Sequence, residues 1–311
     1  MKTHHKASTF SSHKKTVVTI GTFDGVHLGH RKIINRLTSI AQEKDLESAL
    51  LTFFPHPRMV LQQSNDLKLI NTIEEKKELL TETGLNHLII EPFTLEFSRF
   101  TAQEYVEEYL IKYLNTAVVI VGYDHRFGRN RKANIENLKL FSKEYGFEVI
   151  EISKQDIDDV AISSTKIRTS ILMGDIDLAN KYLTKPFGLS GEVVKGKQIG
   201  KTLGYPTANL HIEEAYKIIP KEGVYVVKTK IDQTLYFGMM NIGHNPTVSD
   251  GNNKTVETYF FDFEGDLYGK FIKIQMLHRI RDEKKFDSVD ALKEAMKDDE
   301  IYSLNFIEKY A

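Results

Sequence analysis

The 311-residue chain has no cysteine, no tryptophan, only seven prolines and almost no net charge, with 42 basic against 43 acidic side chains. Without cysteine there is no disulfide, no thiolate metal centre and no cysteine nucleophile, a composition that fits a reducing cytoplasm. The charge balance gives no support to nucleic-acid binding through a broad basic surface, so any phosphate recognition has to come from local groups. No apolar run approaches the roughly 20 residues of a membrane span, and the amino terminus lacks the apolar core of a signal peptide. The expectation is a cytoplasmic protein with no membrane and no nucleic-acid partner. Residues 1–14 carry His4, His5 and His13 among Lys, Ser and Thr and read as a solvated, partly disordered tail.

What is present divides into two patterns. From Lys15 to about Ile152, apolar strands (Thr16–Ile20, Ser48–Phe53, His87–Glu91, Ala117–Val121 and Phe147–Ile152) alternate with helical segments, which predicts a doubly wound parallel sheet. Thr101-Ala102-Gln103-Glu104 is a capping box opening a helix over Ala102–Leu114, and Gly84 and Gly146 stand where helix C-caps are expected. Two short helices, Ser164–Met173 and Asp175–Leu183, precede a break at Lys185-Pro186-Phe187-Gly188. Five strands then follow, Gly188–Lys195, Val224–Ile231, Leu235–Ile242, Val256–Phe263 and Phe271–Leu277, separated by Gly, Asn and Asp turns. They predict a closed antiparallel barrel, because closure removes exposed edges. From Asp287 the chain returns to helix, with Val289, Leu292, Ala295 and Met296 on one side. The expected domains are 15–186 and 187–311.

In the first half the decisive stretch is Gly21-Thr22-Phe23-Asp24-Gly25-Val26-His27-Leu28-Gly29-His30. It joins a strand to a helix whose apolar residues Ile33, Ile34, Leu37, Ile40 and Ala41 share a face. At that helix start, free N–H groups and the positive dipole end favour a phosphate. The two histidines, three residues apart, can address one anion, and the intervening glycine lets backbone approach closely. Three further segments begin at strand ends or a helix start: Pro55-His56-Pro57, Gly122-Tyr123-Asp124-His125-Arg126-Phe127-Gly128, and Ser163-Ser164-Thr165-Lys166-Ile167-Arg168. Hydroxyls and a guanidinium at a helix start make the last of these a second phosphate clamp, against the plainer reading of Ser163 or Ser164 as an N-cap.

Taken together these residues resemble the adenylyltransferase domain of the prokaryotic bifunctional riboflavin kinase/FAD synthetases. The resemblance implies a Rossmann-like nucleotidyltransferase fold that transfers AMP from ATP to FMN and releases pyrophosphate. It further implies that Gly21, Phe23, Gly29, His27 and His30 surround the ATP phosphates, that Ser164, Thr165 and Arg168 close on the triphosphate, and that Asp124 lies near the junction with the flavin phosphate. His125 stands where phenylalanine is usual in that family, and Ala133-Asn134 where Gly-Asp is commoner.

In the second half, glycines at 191, 196, 200 and 204 lead into Pro206-Thr207-Ala208-Asn209. The string lacks the GK[ST] ending of a Walker A loop. As a glycine-rich flap it can cover phosphates with backbone N–H groups, with Thr207 and Asn209 as neutral oxygen ligands for Mg²⁺; the alternative is ordinary turns between barrel strands. With Asn241-Ile242-Gly243-His244-Asn245-Pro246-Thr247, Val256-Glu257 and Arg281-Asp282-Glu283 followed by Phe286, it resembles the riboflavin kinase domain of the same family. The resemblance implies ATP contacts from Gly196, Gly200, Lys201 and Pro206, flavin-side contacts from Asn241, Thr247 and Arg281, and Glu257 as the base that activates the ribityl hydroxyl. Lys201 replaces the usual arginine and Tyr259 a frequent histidine. ATP, riboflavin and FMN are the expected substrates. The rival readings are that one domain is inactive or uses another nucleotide, or that the chain is a flavin-binding regulator without turnover.

Overall fold

The computed structural model describes all residues except 63–66, 154–161, 197–203, 245–253 and 311. By contacts the chain divides into two compact units, Met1–Ser164 and Thr165–Ala311. The helices Ser164–Met173 and Ile176–Tyr182 thus belong almost wholly to the second unit, upstream of the break expected at Pro186.

The first unit is a six-stranded sheet of β1 (Lys2–His4), β2 (Thr16–Ile20), β3 (Glu47–Phe53), β4 (His87–Glu91), β5 (Thr116–Gly122) and β6 (Glu148–Ile152). Its order is β1-β4-β3-β2-β5-β6 and every pairing is parallel. The strands are apolar on both sides because both faces are covered. Val17, Leu50, Leu88 and Ile120 pack with α1 (Leu28–Glu43) and α3 (Ile73–Thr81), which follows a short α2 (Pro57–Leu61). Val18, Leu51, Ile89 and Val119 face the opposite layer, built from α4 (Ala102–Tyr105), its π-helical continuation Val106–Tyr113, and α5 (Ile135–Tyr145). The capping box at Thr101 and Glu104 is present, and Gly146 closes α5 in the left-handed conformation at φ 74°. From β2 the chain winds outward through β3 to β4, then crosses to β5 and β6, so the direction reverses between β2 and β5. Open parallel sheets bind ligands beyond the carboxyl ends of strands at such a reversal.

The amino-terminal segment departs from the expected solvated tail. Lys2–His4 adds a parallel edge strand to β4, and Ala7 and Phe10 are buried in the core. The Ala7 N–H donates to the Glu91 carboxylate at 2.6 Å, and the Phe10 ring meets His4 and His87 edge-on at 5.1 Å. Polar composition hid two apolar anchors spaced to reach one groove.

The second unit opens with α6 (Ser164–Met173) and α7 (Ile176–Tyr182) and continues as a closed barrel, β10-β11-β8-β7-β12-β9. Its strands are β7 (Gly188–Val194), β8 (Ala208–His211), β9 (Gly223–Ile231), β10 (Thr234–His244), β11 (Lys254–Phe260) and β12 (Phe271–Arg281), with every pairing antiparallel. Strand β8 was not expected; it is four residues long and contains the Ala-Asn of the Pro-Thr-Ala-Asn string. β12 outruns its expected end at Leu277 because register shifts at Met276/His278 and Arg279/Arg281 break the alternation that sequence patterns rely on. The terminal α8 (Val289–Tyr310) lays Met296 and Ile307 on Val224, Met239 and Phe261, while Val289 is exposed.

Truncating a well-packed phenylalanine costs about 3–5 kcal/mol. Phe10→Ala is expected to lower stability by about 3 kcal/mol in urea unfolding; a change below about 0.5 kcal/mol, the range of ordinary surface substitutions, would mean that the tail is dispensable.

Candidate active sites

The first site is built on the turn after the central strand β2. Phe23 and Val26 are held at φ 46° and 39°, with Gly25 at 87° between them. A β-branched residue in that region is a strained position, and only surrounding contacts can hold it. Those contacts are numerous. The carbonyl of Thr22 accepts from Lys76 Nζ at 2.7 Å and from Thr52 Oγ1 at 3.2 Å. The buried Asp24 carboxylate accepts the N–H groups of Ile70 at 3.0 Å and Asn71 at 3.3 Å, and Ser164 Oγ donates to the Asp24 carbonyl at 2.9 Å. Ser164 is thereby tied to the turn after β2.

His27 is the N-cap of α1, its Nδ1 accepting the His30 N–H at 3.3 Å. Its ring stacks on His30 with centroids 3.6 Å apart and planes 18° apart, and Phe23 covers His30 at 4.7 Å. A Cβ on Gly29 would come within 3.3 Å of the His27 ring, so the intervening glycine keeps the stack uncrowded. His30 Nδ1 is buried with no hydrogen-bond partner, a polar atom that a ligand can satisfy. Burial lowers His27 to about 4 and, with His27 and Lys76 as neighbours, holds His30 well below its ordinary value. Burial likewise lowers Lys76 to about 8, opposed by Asp24. At neutral pH the stacked pair is therefore uncharged and offers ring N–H groups, while Lys76 supplies positive charge near His30. Lys76 did not stand out in sequence. The Thr72–Glu75 capping box ahead of it was legible, but its inward direction depends on how α3 packs.

The neighbouring strand ends flank this turn. Beyond β3, the Phe54–Pro55 peptide is cis and His56 caps α2. Beyond β5, Asp124 is exposed, whereas burial lowers His125 to about 4. The two departures at 133–134 have local roles: Ala133 is buried and bridges to Phe127, and Asn134 caps α5. On α6, Arg168 Nη2 donates to Thr165 Oγ1 at 3.3 Å.

In the second unit, register assembles the other site. Glu257 on β11 stands opposite Asn241 of β10 on one side and Asn209 of β8 on the other. Val256, Thr258 and Phe260 are buried, so Glu257 and Tyr259 share the opposite, half-buried face. Thr207 Oγ1 donates to Glu257 Oε2 at 3.3 Å. A Cβ on Gly196 would lie 2.2 Å from Asn209 Nδ2, and one on Gly243 would lie 2.0 Å from Glu283 Oε1 and 3.2 Å from Asn241 Nδ2. At both places glycine accommodates the close approach of polar side chains, which would have to shift to admit a Cβ. Pro206 is exposed beside them. The oxygens of Thr207 and Asn209 suit a hard cation that keeps water and substrate phosphate among its ligands. Among the described residues, no group of three or more His, Cys, Asp or Glu could hold a metal by itself. Arg281 Nε and Nη2 grip Asp299 of α8 at 2.8 and 2.7 Å. Gly200, Lys201 and Thr247 lie outside the described residues.

A parallel-sheet unit with a phosphate-type turn, followed by a barrel presenting a carboxylate among neutral oxygen donors, defines a two-site nucleotide-dependent transferase. The family model for FAD synthetase matches residues 9–166 and that for riboflavin kinase residues 183–307. A bifunctional riboflavin kinase/FMN adenylyltransferase of Listeria monocytogenes is 36% identical over 285 residues, covering 91% of this chain and 90% of that relative. Those of Bacillus subtilis and Escherichia coli K12 are 35% and 33% identical, covering 94% and 93% of this chain and 92% of each relative. A solved structure from Streptococcus pneumoniae, described as a macrolide-efflux protein, superposes with TM-score 0.89 at 34% identity over 98% of both chains. Among the described residues no helix is long and apolar enough to cross a membrane. The chain belongs to the bifunctional riboflavin kinase/FMN adenylyltransferase family.

His27 and His125, depressed when folded, bind protons more readily when unfolded. Their contribution is complete above about pH 6.5 and is lost as pH falls toward about 4, at up to about 1.4 kcal/mol per pH unit for each. His125→Phe is expected to flatten this decline in urea midpoints measured between pH 7 and 4; an unchanged slope would contradict its burial as a neutral ring.

Proposed function

We infer that the barrel unit phosphorylates riboflavin to FMN with MgATP, and that the first unit adenylylates FMN to FAD. The observation that carries the first activity is the Asn241–Glu257–Asn209 row with Thr207 on the Glu257 carboxylate. A ribityl hydroxyl is a weak nucleophile and needs a base as it attacks the γ-phosphorus. Glu257 takes the hydroxyl proton, the new O–P bond forms, and the bond from the γ-phosphorus to the ADP oxygen breaks. Thr207 and Asn209 would hold Mg²⁺, which neutralises phosphate charge when bound. Gly196, Pro206 and Asn241 line this site, and we assign Gly200 and Lys201 to the nucleotide and Thr247 to the flavin side.

Adenylyl transfer makes a different demand. The FMN phosphate oxygen is already nucleophilic, so the enzyme has to align it with the α-phosphorus and stabilise charge as pyrophosphate departs. The His27–His30 stack, the start of α1 and the nearby Lys76 support this reading, and we assign Asp124 at the next strand end to the flavin-phosphate side. We assign the protein to the cytoplasm, in keeping with its cysteine-free composition. A regulator without turnover is disfavoured, because it would have no use for a base opposite two aligned amides.

Incubation with riboflavin, ATP and Mg²⁺, with separation of riboflavin, FMN and FAD over time, tests this. Glu257→Gln is expected to slow FMN formation by roughly 10²- to 10⁴-fold while FMN still becomes FAD. His30→Ala is expected to do the reverse. Absence of FMN with the unaltered protein removes the kinase assignment, and loss of both steps from either folded variant removes the two-site reading.

A further inference from the structure

The terminal helix α8 carries two adjacent carboxylates that reach in different directions. Asp299 is buried and grips Arg281 at the end of β12 through two hydrogen bonds of 2.8 and 2.7 Å. That pair fixes the helix at this turn, and within the helix the Asp299 carbonyl accepts from Ser303 Oγ at 2.7 Å. Glu300, the next residue, accepts the Tyr205 hydroxyl at 2.9 Å. The Tyr205 ring is wedged edge-on against Tyr259 at 5.1 Å and 80°. Tyr259 lies two residues past Glu257 on the same face of β11, and Tyr205 lies two residues before Thr207. One tyrosine thus ties the segment carrying Thr207 and Asn209 to α8 through its hydroxyl and to the Glu257 strand through its ring. Burial and the Glu300 carboxylate push the Tyr205 hydroxyl up to about 12, so it remains a donor throughout the working pH range.

We propose that Tyr205 and Glu300 are positioning residues of the barrel site, a clamp by which α8 holds Thr207 and Asn209 in register with Glu257. Besides covering Val224, Met239 and Phe261, α8 holds the end of β12 through Asp299 and the segment entering β8, the neighbour of the Glu257 strand, through Glu300. Asp299 fixes the helix, and Glu300 uses that fixed point to hold the 204–209 segment. The proposal rests on the kinase reading only for its kinetic consequence. Its structural content is separate.

Two measurements on the full chain test it. In steady-state FMN formation, Tyr205→Phe is expected to raise KM for MgATP about fivefold, the scale of one lost hydrogen bond, with kcat within about twofold. Glu300→Ala should match it and Glu300→Gln, which still accepts the hydroxyl, should restore the original KM. The Tyr205→Phe/Glu300→Ala double variant should add nothing further. FMN-to-FAD conversion by the same samples should be unchanged. In hydrogen exchange, amides 204–211 should exchange faster in Tyr205→Phe and Glu300→Ala than in the unaltered chain. Unchanged exchange overturns the clamp, as does a Glu300→Gln variant no better than Glu300→Ala in KM. If the unaltered chain forms no FMN, the kinase reading fails and the exchange comparison alone decides the clamp.

Discussion

Strand register puts Asn241, Glu257 and Asn209 in one row across β10, β11 and β8. A slip of one residue would turn Glu257 into the barrel, where Thr258 already occupies a fully buried position. Nearly everything in the second unit serves that row. Gly196 and Gly243 remove side chains that would collide with Asn209 and Glu283, Tyr205 wedges the incoming segment against Tyr259, and α8 covers the outer face.

The first unit obeys the same rule in parallel form. The sheet reverses direction beside β2, so the ends of β2, β3 and β5 share one edge, and the turn after β2 is clamped at Thr22 and Asp24 by groups distant in sequence. This clamping holds Phe23 and Val26 in a conformation that neither would adopt alone. Rigidity here has a chemical use. A reaction whose nucleophile needs no base depends on alignment, and the proposed adenylyl transfer would draw on the preformed stack of neutral rings with Lys76 nearby.

The two sites differ in the way their chemistries differ. The barrel presents a carboxylate, Glu257, that is half-buried and flanked by the amides Asn241 and Asn209. The sheet turn presents histidines that burial keeps neutral. Substitutions relative to the resembling family are absorbed locally: Asn134 caps a helix, Ala133 fills a bridge to Phe127, and Tyr259 packs against Tyr205.

Much of this was legible from order and spacing alone. Strand–helix alternation identified the parallel sheet, turn residues identified the barrel, and the ordered motifs from Gly21 to Arg281 pointed to both activities, because these patterns are local. The edge strand Lys2–His4 and strand β8 were not legible, since each is three or four residues long and exists only by pairing with a distant partner. Lys76, Tyr205 and Glu300 carried no signal either, and the grip of Asp299 on Arg281 was equally invisible, since each of these contacts joins segments distant in the chain. Sequence by itself determined which chemical groups are available and which element carries each. Tertiary structure decided which groups meet, which are stripped of water and which conformations are held against their own preference, because burial and register depend on contacts between segments far apart in the chain.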